Sequence, residues 1–199
     1  TEMMGQQARL IHHIEDHIME ILLIRHGNPD YANDTLTPKG HDEAARLARF
    51  LADTPLDALY QSPLGRACDT CAYTAQAKGM TPVTLEWLRE VGIKREELYL
   101  WNAPGQLFLG GDTLPGYEDW LEPQGAMPEG REQYLRVAQG MDALLASHGL
   151  QKEGYLYRVT APLPTRIALF AHHGVIVTAL SYLLHWPLPL VFVHTRIDP

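Results

Sequence analysis

The stretch ILLIRHGNPD, residues 21–30, decides the fold, because a run of aliphatic residues leads directly into an arginine and a histidine. The run from Glu20 to Ile24 is too short for a helix, and Gly27 and Pro29 close it. Continuous aliphatic runs of this length are typical of strands that are buried on both faces. We therefore expect a first strand that carries two ionisable side chains, Arg25 and His26, to its carboxyl end.

Strand and helix patterns alternate along the rest of the chain. Two helix starts carry the same signal, a hydroxyl residue followed by proline, and this signal predicts Thr37 and Ser62 as N-caps. Gly149 is expected to end a later helix in the left-handed conformation. The predicted strands are Asp57–Gln61, Pro82–Leu85 and Arg166–Ala171, and the predicted helices are 38–54, 63–78, 129–148 and 174–185.

This alternation predicts an α/β fold, a three-layer α/β/α sandwich with a mainly parallel sheet. Residues 20–199 are expected to form one domain, with an inserted lid at about 90–128 that is rich in Gly, Pro and Trp. Residues 1–19 are interpreted as an N-terminal extension or as a remnant of recombinant expression. In open parallel sheets, ligands bind beyond the carboxyl ends of the strands.

The composition of the 199 residues restricts the class of protein. The chain is 46% hydrophobic and 20% charged, and it has no apolar run of roughly 18 residues that would span a bilayer. A formal net charge of −8 argues against a nucleic-acid-binding protein. Two cysteines, Cys68 and Cys71, are too few for a disulfide framework, and no signal peptide is recognised. We expect a cytoplasmic protein with a small-molecule partner, no nucleic-acid or membrane partner, and an oligomeric state that the sequence leaves open.

Cationic side chains follow three of the predicted element boundaries. Arg25 and His26 follow the first strand, Arg66 lies in the first turn after Ser62-Pro63, and His172 follows the strand IALFA. A parallel sheet would bring these positions to the same edge. Guanidinium groups suit phosphoryl oxygens, and imidazoles can attack, donate hydrogen bonds or carry charge. The pattern therefore predicts a phosphate site.

These residues lie in ordered motifs, namely Arg25-His26-Gly27, LTPKG at 36–40, SPLGRA at 62–67, Leu88-Arg89-Glu90 and AHHG at 171–174. Over roughly residues 19–185, their order and spacing resemble the histidine phosphatase (phosphoglycerate mutase-like) superfamily, phosphatase branch. The resemblance implies a phosphoglycerate mutase-like fold. It implies that His26 is the nucleophile and forms a phosphohistidine, that Arg25, Arg66 and His172 bind the phosphoryl group, and that Glu90 is the general acid. His172 is thus both a catalytic and a phosphate-binding residue. No metal and no cofactor are implied.

The function expected from this resemblance is metal-independent hydrolysis of a small soluble phosphate ester. One alternative is phosphoryl transfer of the phosphoglycerate mutase type, and another is a catalytically impaired phosphate-binding module. The stretch GNPDYANDTLTPKG is shorter than its counterpart in mutases of this resemblance, and this favours water as the phosphoryl acceptor.

Three departures from the family pattern bear on the site. After Glu90 the sequence VGIKREELY is atypical, so the carboxylates of Glu86, Glu96 and Asp112 stay open as alternative acids. His173 stands where many relatives have a glycine, and its side chain either reaches the pocket or points away. The chain also stops where relatives usually carry another strand, so a sheet edge is expected to be missing or disordered.

Overall fold

The structure, a computed structural model, describes residues 18–95, 98–99, 116–117, 128–163 and 166–198. Its strands are β1 (Glu20–Arg25), β2 (Pro29–Asp30), β3 (Thr35–Leu36), β4 (Ala58–Gln61), β5 (Val83–Thr84), β6 (Lys94–Arg95), β7 (Leu98–Tyr99), β8 (Leu150–Glu153), β9 (Leu156–Val159) and β10 (Arg166–Ala171). Its helices are α1 (Pro38–Phe50), α2 (Gly65–Lys78), α3 (Pro128–Ser147), α4 (His173–Leu184) and α5 (Leu188–His194), with a short 3-10 turn at Glu86–Leu88. The N-terminal residues 1–17 and most of the expected lid, including Glu96 and Asp112, lie outside the described residues.

The central sheet has four strands in the order β1-β10-β4-β5, and all three pairings are parallel. Arg25 pairs with Ala171, and Phe170 pairs with Gln61, so the carboxyl ends of β1, β10 and β4 align at one edge. Three further two-stranded pairs, β2–β3, β6–β7 and β8–β9, are antiparallel. The expectation of a mainly parallel sheet is confirmed.

Side chains of β10 alternate between the two faces of the sheet. Ile167 and Leu169 pack into a cluster with apolar residues of α3, α4 and α5, whereas Ala168 and Phe170 pack against Cys71 and other residues of α2 on the opposite face. All five residues are buried, as expected for a strand that is covered on both sides. Helices therefore cover both faces of the sheet, and the α/β/α prediction is confirmed.

The two predicted N-caps have different outcomes. At α1, the hydroxyl of Thr37 accepts a hydrogen bond from the N–H of Gly40 at 3.2 Å, and Pro38 occupies the first turn, so this prediction is confirmed. The Ser62 prediction is wrong, because α2 begins at Gly65 and has no side-chain cap. The Ser62 hydroxyl instead accepts from the N–H of Leu64 at 3.2 Å, in a turn that precedes the helix.

The later part of the chain contains two features that the sequence did not indicate. The hairpin β8–β9 connects α3 to the region before β10. Beyond α4, which ends at His185 in the left-handed conformation, the described residues contain a helix, α5, rather than another strand of the sheet. Gly149 ends α3 with a φ of 87°, as predicted. None of the described helices is long and apolar enough to cross a membrane.

Candidate active site

The aligned strand ends place His26 beside His172. His26 extends β1 by donating its backbone N–H to the carbonyl of Ala171 at 3.0 Å, and the two imidazole ring centroids lie 5.1 Å apart. On the other side of β10, the N–H of Ser62 donates to the carbonyl of Phe170 at 2.9 Å. Both histidines are buried, with 1% and 0% of their surface exposed. Residues that are 146 positions apart in the sequence thus form one site.

The tautomer of His26 follows from its contact with Gly27. Nδ1 of His26 lies 2.7 Å from the carbonyl oxygen of Gly27, and a carbonyl can only accept, so Nδ1 carries the proton. Nε2 then holds a free lone pair. Burial lowers the pKa of His26 to about 4, with the charges of Arg66 and Arg25 acting in the same direction and the Gly27 contact opposing them. The ring is therefore neutral at physiological pH.

A close backbone approach connects the RHG and LTPKG motifs. A Cβ on Gly27 would lie 2.7 Å from the carbonyl oxygen of Gly40, and the N–H of Gly27 donates to the hydroxyl of Thr70 at 3.0 Å. The next residue, Asn28, accepts a hydrogen bond from the N–H of Thr37 at 3.0 Å. The glycine at position 27 thus lets the turn after His26 pack directly on the start of α1.

Arg66 lies in the first turn of α2 and is held by Asp34. Its Nη1 donates to Oδ1 of Asp34 at 2.6 Å, and the N–H of Gly65 donates to Oδ2 of the same carboxylate at 2.7 Å. Burial alone would raise the pKa of Asp34, but these two donors outweigh it and lower the pKa. Nε of Arg66 is buried and has no hydrogen-bond partner in the described part of the chain. One edge of the guanidinium is therefore engaged, and another donor is left free.

Arg25 contacts the C-terminal segment. Its Nη1 donates to the carbonyl oxygen of Ile197 at 2.6 Å, whereas its Nε is buried and lacks a partner among the residues described. Its charge acts on both His26 and His172 and lowers the pKa of each. Arg25 therefore belongs to the same electrostatic site.

His172 contacts Ser62 through Nε2, which lies 2.8 Å from the hydroxyl oxygen. The same oxygen accepts from the N–H of Leu64, and when the hydroxyl donates its own proton to Nε2, the ring proton of His172 lies on Nδ1. Nδ1 is buried and has no partner within the described ranges. Burial, with the charge of Arg66, lowers the pKa of His172 to about 2, so the ring is neutral.

Glu90 lies at the N-terminus of α4. Its Oε1 accepts hydrogen bonds from the N–H groups of Val91 and Gly174 at 2.9 Å and of Val175 at 3.3 Å. A Cβ on Gly174 would lie 2.8 Å from Oε1, so a glycine is needed for this approach. Burial raises the pKa of Glu90, although the three backbone donors and Arg66 oppose the shift. With Oε1 occupied by donors, Oε2 is the oxygen that can hold a proton.

The alternative acid Glu86 does not join this group. Its side chain is 73% exposed and pairs with Arg89 at 2.8 Å. The other two alternatives, Glu96 and Asp112, lie outside the described residues. Glu90, in contrast, is partly buried and has a raised pKa, and its carboxylate contacts the start of the helix that follows His172.

His173 faces a different environment from His172. Its ring lies edge-on to Phe192, with centroids 6.1 Å apart, and its buried Nδ1 has no partner among the described residues. Burial lowers the pKa of His173. The side chain lines a cavity of about 570 Å³ together with Arg25, Tyr31, Glu90 and residues 192–198. The extra imidazole therefore reaches a pocket next to the site instead of pointing away.

Three contacts at the site were not anticipated from the sequence: those of Asp34 with Arg66, of Ser62 with His172, and of Ile197 with Arg25. Ser62 is the first residue of the SPLGRA motif, and the sequence analysis interpreted it as a helix cap and not as a residue of the site. Asp34 and Ile197 carry no such signal, because their contacts arise from tertiary packing. Within the described ranges, no three His, Cys, Asp or Glu side chains are grouped as a metal site.

Three of the solved structures with a similar fold are described as phosphatases. A putative alpha-ribazole-5'-P phosphatase from Escherichia coli K-12 is 22% identical, with a TM-score of 0.60 over 90% of this chain and 86% of that chain. A phosphoserine phosphatase from Entamoeba histolytica in complex with 3-phosphoglyceric acid is 20% identical, with a TM-score of 0.59 over 91% and 87%. A mycobacterial glucosyl-3-phosphoglycerate phosphatase is 20% identical, with a TM-score of 0.60 over 89% and 85%. These likenesses show the fold.

A search of curated protein sequences finds no match. The family model described as "Histidine phosphatase superfamily (branch 1)" matches residues 21–195. This range contains all of the motifs discussed above and most of the chain. The protein therefore belongs to the histidine phosphatase superfamily, branch 1.

Proposed function

We propose that the chain hydrolyses small phosphate monoesters through a covalent phosphohistidine at Nε2 of His26. The observation that carries this proposal is the contact of Nδ1 with the Gly27 carbonyl, which leaves Nε2 unprotonated beside His172. A neutral imidazole with a fixed tautomer is a nucleophile that needs no additional base.

Unpartnered buried donors support phosphate as the ligand. Nε of Arg25, Nε of Arg66 and Nδ1 of His172 are all buried without hydrogen-bond partners among the described residues. Such donors are rare in folded proteins unless a ligand or water satisfies them. A phosphoryl group has several acceptor oxygens, enough to pair with these three donors.

The chemistry requires two displacements. In the first, Nε2 of His26 attacks phosphorus, the P–O bond to the leaving group breaks, and the alcohol oxygen takes a proton from Glu90. In the second, the Glu90 carboxylate takes a proton from water, the water oxygen attacks phosphorus and the P–N bond breaks. The products are the alcohol and inorganic phosphate, and both His26 and Glu90 return to their starting states.

Fixed cations stabilise the charge that develops in both steps. The guanidinium groups of Arg25 and Arg66 and the Nδ1–H of His172 are aimed at the equatorial oxygens in this proposal. These groups supply the stabilisation that metal ions supply in other phosphoryl-transfer enzymes, so the proposed reaction is metal-independent. The raised pKa of Glu90 suits an acid that must be protonated at the first step.

A second candidate, a phosphate-binding module with little turnover, is favoured by the contacts of the two arginines. Arg25 donates to Ile197 and Arg66 donates to Asp34, so part of each guanidinium is turned to the protein itself. Binding without turnover would result if neither arginine could keep its hydrogen bonds to the phosphoryl oxygens as these move in the transition state.

Rapid-quench labelling with a radiolabelled aryl phosphate separates the candidates. We expect acid-labile phosphate on the wild-type chain, no labelling and no hydrolysis for His26→Ala, and normal labelling for the control His41→Ala, which alters a histidine that contacts Tyr73. Tight binding of phosphate without labelling would favour the module. Hydrolysis by His26→Ala at the wild-type rate would refute the mechanism, and isomerisation of 3-phosphoglycerate that depends on a bisphosphate primer would indicate a mutase.

A further inference from the structure

Glu90 lies in a segment that belongs to no helix or strand. Residues 89–93 connect the 3-10 turn at Glu86–Leu88 to β6. His26, by comparison, directly follows β1 and continues its pairing with β10. The position of the Glu90 backbone therefore depends on contacts other than those of regular secondary structure, and α3 and α4 supply them.

One face of α3 follows this segment. Near the start of the helix, Oε1 of Gln133 accepts a hydrogen bond from the N–H of Gly92 at 2.8 Å. Further along, Gly140 lies so close to Trp87 that a Cβ on the glycine would be 2.2 Å from Cγ of the indole ring. Residues at positions i, i+3 and i+7 share a helix face, so Arg136 lies on the face that contacts the segment.

Arg136 contacts the backbone on both sides of the Glu90 Cα atom. Its Nη2 donates to the carbonyl oxygen of Arg89 at 2.9 Å and to that of Glu90 at 3.3 Å. These carbonyls belong to the two peptide groups that flank the Cα atom, so holding both restricts the φ and ψ angles of Glu90. A guanidinium keeps its charge when it is partly buried, and this strengthens its hydrogen bonds. Arg136 thereby fixes the direction in which the Glu90 side chain leaves the backbone.

The far end of the same side chain is held by α4. Oε1 of Glu90 accepts from the N–H groups of Gly174 and Val175, in the first turn of that helix. With its backbone held by α3 and one carboxylate oxygen held by α4, the side chain has little freedom, and Oε2 has a defined position. Proton transfer needs this precision, because a displacement of about 1 Å can reduce a rate by about a hundredfold.

We propose that Arg136 is a positioning residue for Glu90: its hydrogen bonds to the two flanking carbonyls direct the carboxyl group at the leaving-group oxygen. This inference rests on the proposed function, in which Glu90 protonates that oxygen. Arg136 itself is not expected to touch the substrate. Gln133 has a smaller share in the same role, through its contact with Gly92.

Two substrates that differ in their leaving group test the proposal. Benzyl phosphate has an alkyl leaving group that needs a proton, whereas 4-nitrophenyl phosphate has a similar ring and a leaving group that needs little protonation. For Arg136→Met we expect the ratio of their kcat/KM values, benzyl over nitrophenyl, to fall about tenfold, through kcat more than through KM. Arg136→Lys keeps a charged donor and should recover part of the ratio.

The control Arg131→Met alters an exposed arginine of the same helix and should keep the wild-type ratio. Because both substrates are measured on one preparation, the ratio does not depend on the fraction of folded enzyme. Equal losses with both substrates in Arg136→Met would overturn the inference. A wild-type chain that hydrolyses only 4-nitrophenyl phosphate would lack effective acid catalysis and would overturn it as well.

A double-mutant cycle distinguishes positioning from a general loss of structure. In Glu90→Gln the acid proton is absent, so adding Arg136→Met should lower the benzyl-to-nitrophenyl ratio no further. Additive effects of the two substitutions would contradict the positioning role. Gln133→Met removes the contact with Gly92 without a change of charge, and we expect the same ratio to fall about threefold. An unchanged ratio in Gln133→Met would contradict the share assigned to Gln133.

The outcomes separate this inference from the proposed function. If the wild-type chain neither hydrolyses 4-nitrophenyl phosphate nor forms phosphohistidine, the proposed function fails, and this inference fails with it. If the chain is labelled and Glu90→Gln keeps the wild-type ratio, the acid is another residue and Arg136 has no acid to position. If Glu90→Gln lowers the ratio and Arg136→Met does not, only this inference is overturned.

Discussion

The hydroxyl oxygen of Ser62 lies 2.8 Å from Nε2 of His172, and this contact joins the ends of two adjacent strands, β4 and β10. Ser62 lies next to the edge of the sheet that carries the proposed phosphate site, and we do not expect it to touch phosphorus. We expect the Ser62 hydroxyl to donate to Nε2, which would direct the ring proton of His172 to Nδ1, the buried nitrogen that has no partner among the described residues. In the proposed mechanism, Ser62 would position His172 as a hydrogen-bond donor to phosphate.

Replacing Ser62 with alanine should reduce kcat/KM because the tautomer of His172 is then no longer fixed. A lost buried hydrogen bond costs about 1–3 kcal/mol, which corresponds to about a fivefold to 150-fold reduction. The check is kcat/KM with an aryl phosphate, together with NMR of the ring nitrogens of His172. The control Ser147→Ala removes a hydroxyl that only contacts the carbonyl of Leu144 and should have no effect on activity. A reduced activity with an unchanged His172 tautomer would contradict the positioning role.

The pH dependence of kcat/KM should reflect the titration of His26 on its acidic side and the titration of Glu90 on its alkaline side. The lowered pKa of His26, about 4, means that the nucleophile becomes protonated and inactive only as pH falls through that value. The raised pKa of Glu90 means that the acid form persists above its ordinary range and that activity with an alkyl phosphate falls when pH rises past it.

The variant Glu90→Gln should lose this alkaline decline and should slow the release of alkyl leaving groups by about a hundredfold or more. Aryl phosphates, whose leaving groups need little protonation, should be affected less. The exposed residue Glu86 provides the matched control, Glu86→Gln. Equal losses with alkyl and aryl substrates would assign the acid to another residue.

The buried histidines should make the unfolding free energy depend on pH. Because the pKa values of His26 and His172 are lowered to about 4 and about 2 in the folded chain, the unfolded chain binds more protons as pH falls below about 6.5. Stability is therefore full above that pH and is lost as pH falls towards the folded values.

Each buried histidine contributes a slope of up to about 1.4 kcal/mol per pH unit in this window. Urea unfolding in phosphate-free buffer between about pH 4 and pH 6 measures the slope, and His172→Gln should reduce it by about that amount. The control is His41→Gln, at a histidine that contacts the hydroxyl of Tyr73 outside the site. An unchanged slope in His172→Gln would show that His172 is already protonated in the folded chain.

The ion pair of Asp34 with Arg66 should weaken anion binding, because it offsets one of the two guanidinium charges. In Asp34→Asn, an amide oxygen can still accept from the N–H of Gly65, while Arg66 regains its full charge. We expect the inhibition constant of inorganic phosphate to fall about three- to tenfold, with a stability loss of about 1 kcal/mol or less because Asp34 is 43% exposed. Weaker inhibition would show that orienting Arg66 matters more than its net charge.

Strong local signals made much of the fold predictable. The boundaries of β10 agree with the sequence pattern, since RIALFA is apolar on both faces and the strand is buried on both faces. The start of α1 was equally clear because Thr37 and Pro38 combine a cap with a first-turn proline. At Ser62 the same signal gave a wrong prediction. The Ser62 hydroxyl contacts the N–H of Leu64 within a turn and the ring of His172, and it does not cap a helix. A local pattern does not reveal such a competing tertiary partner.

The hairpin β8–β9 had no comparable signal. Its strands have four residues each, and Leu156 is 75% exposed, so the apolar alternation that marks a half-buried strand is weak. The hairpin depends on contacts with α3, including the hydrogen bond from Tyr157 to Asp142 at 3.0 Å. These contacts join residues that only the folded chain brings together.

The residues of the candidate site that lie in sequence motifs could be predicted. The residues that tertiary packing brings to the site could not. Arg25, His26, Arg66, Glu90 and His172 lie in motifs, and the structure places them near one another. Their chemical roles remain proposals. Asp34 and Ile197, in contrast, are ordinary residues in the sequence, and they matter because the loop after β1 and the segment after α5 fold back onto the arginines.

The sheet order also sets when the site can form during synthesis. His26 directly follows β1, which is synthesised before β10, its neighbour in the sheet. Until β10 has been synthesised, His26 has no His172 beside it. A chain that ends before β10 therefore lacks one side of the candidate site. Contacts between such distant segments are slow to form, so the appearance of turnover would report completion of the whole domain and not of any local part.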